Sequence, residues 1–94
     1  MSPSRHPRIY ADFQKLDEQG RLILTCVGTI SDLNLLGIAF EEGLRFTFYM
    51  DDADDFGNAD DLEADGYVVF DEATATWRGV YEEDTLRHAS DRKT

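Results

Sequence analysis

Asp52, Asp54, Asp60 and Glu63 are spaced as ligands 1, 3, 9 and 12 of a calcium-binding loop, with Gly57 at position 6, where such loops turn sharply. The chemistry is that of a hard cation, which gathers several oxygens around one point. Glycine lets the backbone curl around it, and a terminal glutamate closes the shell with both oxygens. Phe56 departs from the pattern, since it takes position 5, where an oxygen ligand belongs. The same carboxylates also read as a weak, diffuse cation site or as a solvated acidic connection. No cofactor is expected beyond weakly held Ca2+.

Other reactive constellations are sparse. His6 and His88 lie near opposite ends of the chain, and neither stands beside a serine, cysteine or lysine in a nucleophile pattern. There is no glycine-rich phosphate loop and no pair of histidines at metal-binding spacing. Cys26 is the single cysteine, which rules out an internal disulfide and a cysteine-based metal cluster, and it reads as a small core residue. Asp84 and His88 are close enough in sequence for a surface hydrogen bond. No catalytic residue is assigned, and the expectation is that the protein is not an enzyme.

Recognition is better supplied. The segment 51–65 holds eight carboxylates and no cation, and the chain as a whole has 20 acidic against 9 basic residues, a net charge of -11. Such a charge repels nucleic acid and anionic membranes and attracts basic proteins. Tyr49, Tyr67, Trp77 and Tyr81 fall on neighbouring strand-like segments. They either fill a small core or form an aromatic patch beside Asp55 and Asp61. A patch of that kind, rimmed by carboxylates, suits a partner with arginine or lysine hot spots. The leading expectation is therefore a small acidic module that binds a basic protein. Divalent-cation binding is the alternative, and an unrecognised enzyme the third reading.

These residues need a scaffold, and the patterning predicts strands. Residues 8–14 alternate, with Ile9, Ala11 and Phe13 on one face. Residues 21–30 read as a long strand rich in Leu, Ile, Val and Thr, with Gly28 marking a bend or bulge. Residues 31–37 open on capping residues and close on Gly37, which fits one helical turn. A short strand is expected over 38–41 and a tight turn at Glu42-Gly43. Residues 44–50 alternate most cleanly, with Leu44, Phe46, Phe48 and Met50 on one side, and form the expected central strand. The acidic segment follows as a loop. Strands are expected over 66–71, 76–81 and 85–89, with a polar or 3₁₀ turn at 82–84 before the last.

Ninety-four residues make one domain with one core. Short strands, frequent turn signals and no long helical periodicity predict an all-β fold of about five to seven strands. An antiparallel barrel is expected, with a small sandwich as the alternative. The run Gly66-Tyr67-Val68-Val69-Phe70-Asp71, a tight turn, Trp77 through Tyr81, a polar turn and Leu86-Arg87-His88 resembles the last three strands of SH3-like barrels. The chain also resembles short acidic bacterial proteins, which implies no particular activity. Segments 1–7 and 90–94 read as disordered tails around a domain spanning 8–89. No apolar run approaches the length that spans a bilayer, and no secretory leader is visible. The expectation is a cytoplasmic monomer.

Overall fold

The computed structural model describes residues 6–53 and 56–89. Residues 1–5 of the expected tail 1–7, and the expected tail 90–94, lie outside that range. Pro7, expected to belong to the first tail, already extends the sheet: its carbonyl accepts the Thr47 N–H at 2.8 Å.

The chain forms one mixed sheet with one short helix. Its elements are β1 (Arg8–Tyr10), β2 (Leu22–Ile23), α1 (Val27–Leu36), β3 (Arg45–Met50), β4 (Leu62–Asp71), β5 (Thr76–Tyr81), a 3₁₀ turn (Glu83–Thr85) and β6 (Arg87–His88). The sheet order is β1-β3-β4-β5-β2, and β6 pairs with β4. All pairings are antiparallel except β1 with β3. The two ends of this path, β1 and β2, are not paired with each other among the described residues.

The strand expected at the centre of the sheet is β3, which is an inner strand between β1 and β4, while β4 takes the middle of the order. The alternation of β3 buries Phe46 and Phe48 completely, together with Ile9, Leu22 and Val68. Period-two patterning places every second residue on one face of a strand, so the phenylalanines share one side of the sheet. Gly66 and Gly79 allow this packing, because neither leaves room for a larger residue. A Cβ at Gly66 would lie 2.1 Å from the Val80 carbonyl oxygen, and one at Gly79 would lie 2.9 Å from Cζ of Phe48.

The all-β expectation fails at residues 21–30. Only Leu22–Ile23 is strand, and Val27–Leu36 is an α-helix. Apolar residues occur on both sides of this helix, which hides its period in the sequence, while its Val, Thr and Ile favour strand locally. Tertiary contacts decide the matter. Thr29 Oγ1 donates to the Tyr10 carbonyl at 2.5 Å, and Asp32 Oδ2 accepts the Tyr10 N–H at 2.9 Å. Two side chains one helical turn apart thus satisfy the Tyr10 N–H and carbonyl at the outer edge of β1, where a further strand would otherwise bind. Gly28 is not a strand bulge but the point where the helix touches the Tyr10 ring, and a Cβ there would meet Tyr10 Cδ2 at 2.9 Å.

The helix ends at Gly37, whose φ of 67° is left-handed. The Ile38 N–H closes the cap on the Leu33 carbonyl at 3.0 Å. No strand forms over 38–41. The first strand stops at Tyr10 rather than Gln14, because Asp12 starts a turn in which its carboxylate accepts the Gln14 N–H at 2.9 Å. The tight turn at Gly43 has the expected positive φ of 82°.

Candidate functional site

The described parts of the acidic segment, residues 51–53 and 56–61, extend the β3–β4 hairpin by an isolated bridge. The β3–β4 register pairs Met50 with Leu62, and the same register continues outward to a bridge between Ala53 and Ala59. The Asp60 N–H donates to the Asp52 carbonyl at 3.0 Å along this extension. Gly57, with φ 84°, turns the chain between the two arms. Residues 62–65, expected in the loop, belong to β4. Asp54 and Asp55 lie outside the described residues.

Strand alternation separates the proposed metal ligands. Asp52 and Asp60 have the parity of Phe48 and Leu62, whereas Glu63 falls on the opposite face. Glu63 is fully buried there, with Oε2 2.9 Å from Arg8 and Oε1 3.3 Å from Arg87. Asp52 Oδ2 lies 2.8 Å from Nε2 of His88. That hydrogen bond, aided by the Ala53 N–H, holds the Asp52 carboxyl below the usual aspartate range. Among the described residues, no group of three His, Cys, Asp or Glu side chains is close enough to hold a metal ion.

The network around Glu63 fixes the base of the hairpin to the sheet. Arg8 from β1 also pairs with Asp61 at 3.2 Å, and Arg87 from β6 with Asp65 at 3.3 Å. The Asp65 carboxylate further accepts the Thr47 hydroxyl at 3.0 Å. The Arg8 guanidinium lies over the Tyr49 ring, 4.4 Å from its centroid. Cations from both flanking strands therefore meet carboxylates at the root of the acidic arm.

The four aromatic residues do not form one patch. Tyr49 and Tyr67 share the Glu63 face, where Tyr67 pairs across the sheet with Arg45 and Val80. The Tyr49 hydroxyl donates to Asp32 Oδ2 at 2.7 Å; this bond, with burial second, pushes its pKa up to about 12. Trp77 and Tyr81 are half-buried on the other face and pack against the core. Phe40 and Phe70 flank Trp77 at 5.5 and 5.2 Å, and Phe13 meets Tyr81 edge-on at 5.4 Å.

The aromatic residue that the structure adds to the acidic arm is Phe56. It sits beside the turn glycine and is 89% exposed. A signal for it was present in the sequence: a phenylalanine inside a run of aspartates, next to glycine, breaks both the charge pattern and the calcium-loop pattern. Asp51 and Asp52 on one arm are exposed, and Asp60 and Asp61 on the other are partly so.

A second cluster lies away from the hairpin. A cavity of about 460 Å³ is lined by Leu16, Asp17, Arg21, Asp71, Thr74 and Arg78, among others. Its charges answer one another. Asp17 bonds Arg21 at 2.8 Å and Arg78 at 3.2 Å, while Asp71 lies 3.5 Å from Arg21 and 3.6 Å from Arg78. Burial works against the ionised Asp17, but hydrogen bonds from Arg21 and Gln19 outweigh it and hold its carboxyl below the usual range. This cluster clamps the Asp17 turn onto β5.

No helix among the described residues is long and apolar enough to cross a membrane. No protein-family model, curated protein or solved structure matches this chain.

Proposed function

We propose that the protein is a small acidic interaction module that engages a basic protein through the hairpin extension whose described parts are residues 51–53 and 56–61. One observation carries the reading: Phe56, 89% exposed, sits beside the turn of an arm whose two sides, beyond the ends of β3 and β4, bear Asp51, Asp52, Asp60 and Asp61. Exposed aromatics surrounded by polar groups are the usual energetic centres of protein interfaces. Here the ring supplies the desolvated anchor and the carboxylates the rim. Electrostatic attraction raises the association rate, and ring burial lengthens the complex's life. The ion-paired root gives the arm a fixed base, so less order must be gained on binding. Tyr49, Tyr67, Trp77 and Tyr81 support the arm's scaffold and are not its contact surface.

The experiment is affinity capture of basic proteins at low and high salt, using wild type, Phe56→Ser and the pair Asp60→Asn/Asp61→Asn. Capture that falls with salt and with either variant supports the reading. Capture indifferent to both variants overturns it.

A further inference from the structure

The cavity between the Asp17 turn and the β4–β5 turn, about 460 Å³, has the volume of a small-molecule site. On its buried side lies Arg78, 7% exposed. Arg78 is fully engaged: Nε donates to Asp17 Oδ2, Nη1 to the Thr76 hydroxyl and Nη2 to the Thr74 hydroxyl. The two inner carboxylates are engaged as well. Asp17 accepts the Gln19 and Arg21 N–H groups and the Nε of both arginines. Asp71 accepts the Ala73 N–H and the Thr74 hydroxyl.

Two charged groups on the lining are not spent in this way. Arg21 gives only its Nε to a side chain. Its terminal nitrogens make no hydrogen bond among the described residues, and Asp71 Oδ2 stays 3.5 Å from Nη2. The Glu18 carboxylate is exposed and has no partner among the described residues. Leu16, 40% exposed, adds an apolar stretch. The β4–β5 turn is held in place at a conformational cost. Ala75 has a φ of 55°, the one positive value at a non-glycine residue among those described. That turn sets the Thr74 and Thr76 hydroxyls 2.7 Å apart, both against Arg78. Backbone kept in such sparsely populated regions clusters at ligand sites.

We propose that this cavity binds a small zwitterion of the amino-acid class. The ligand's carboxylate lies on the terminal nitrogens of Arg21, its ammonium on Glu18 and its apolar side chain against Leu16. The unspent groups select that ligand. A guanidinium edge matches a carboxylate with two parallel N–H···O bonds. Asp17, Asp71, Arg21 and Arg78 balance one another, which leaves Glu18 as the excess charge of the lining. An anion without an ammonium meets Glu18 and a chain of net charge -11. A cation without a carboxylate leaves the Arg21 edge unmatched. A ligand carrying both charges answers both groups. The site shares no residue with the hairpin, and neither reading depends on the other.

The test is a titration of the nitrogen-15-labelled full chain with L-leucine, N-acetyl-L-leucine and L-leucinamide, each up to about 50 mM, followed through the backbone amides. L-leucine is expected to give saturable shifts at Gln19, Arg21 and Thr74 with a Kd of about 1–10 mM. N-acetyl-L-leucine lacks the ammonium and L-leucinamide the carboxylate, and each binds at least about tenfold more weakly. Glu18→Gln and Arg21→Gln each weaken L-leucine about tenfold, while Phe56→Ser leaves its binding unchanged. Arg21 also pairs with Asp17, so Glu18→Gln decides the matter if Arg21→Gln does not keep the wild-type circular dichroism. Absence of a saturable shift at these amides overturns the proposal. So does L-leucinamide binding as tightly as L-leucine, which would reduce the site to general attraction for cations, or L-leucine binding that ignores Glu18→Gln.

Discussion

Oε2 of the fully buried Glu63 lies 2.9 Å from a guanidinium nitrogen of Arg8, a residue 55 positions earlier that reaches it from β1 across β3. With Arg87 on the other side, this contact draws the first strand, the hairpin root and the last strand together. Glu63→Gln leaves both guanidinium groups without their shared anion. Because both retain contact with water, the expected loss is about 2 kcal/mol, below the roughly 3–5 kcal/mol that breaking a fully buried pair costs. Urea unfolding checks it. A loss no larger than that of a surface carboxylate would contradict the structural role given to this network.

Asp32 governs the titration of Tyr49. The hydrogen bond from the phenol to this carboxylate, and the burial around it, put the Tyr49 pKa at about 12. A raised folded-state value means that the neutral phenol is favoured by folding. The stability it adds is fully present below the unfolded value near 10, and is lost as pH rises from there through about 12. Carbon-13 labelling of the tyrosine rings should show Tyr49 ionising with a midpoint at about 12, and Asp32→Asn should move that midpoint down toward 10. An unchanged midpoint in that variant would refute the assignment.

Gly66 and Gly79 rank differently. At Gly66 an added Cβ meets backbone, the Val80 carbonyl, which cannot move without disturbing the β4–β5 ladder. At Gly79 it meets the far end of the Phe48 ring. Gly66→Ala is expected to cost about 3 kcal/mol and Gly79→Ala about 1 kcal/mol, as overpacking does where the neighbour is rigid or can yield. Thermal melting of the two variants gives the order, and the reverse order would contradict the packing.

Much of this was legible in the sequence where a single period ran through a segment. Phe46 and Phe48 alternate with Arg45 and Thr47, so β3 and its buried side followed directly. The turn at Gly43 and the 3₁₀ turn before β6 were equally marked by residue type. The end of the helix was marked as well, by the turn expected over 31–37 and its close at Gly37, but its start at Val27 was not, because Thr29 and Asp32 are chosen for the edge of β1, a long-range contact no local pattern carries. Glu63 was hidden for a related reason. Within a run of acidic residues nothing local distinguishes the one that Arg8 and Arg87 enclose. The strand therefore appeared to begin four residues later than it does, and Glu63 was grouped with the carboxylates of the arm.

The central claim is that the hairpin tip, not the sheet face, is the recognition surface. Its most direct test is a titration of the nitrogen-15-labelled protein with a synthetic peptide of alternating lysine and leucine, followed through the backbone amides. The account predicts saturable shifts confined to Asp52, Phe56, Gly57 and Asp60, abolished by high salt and weakened about tenfold in Phe56→Ser. Shifts centred on Tyr67, Trp77 or Tyr81, or a uniform drift that never saturates, would contradict it.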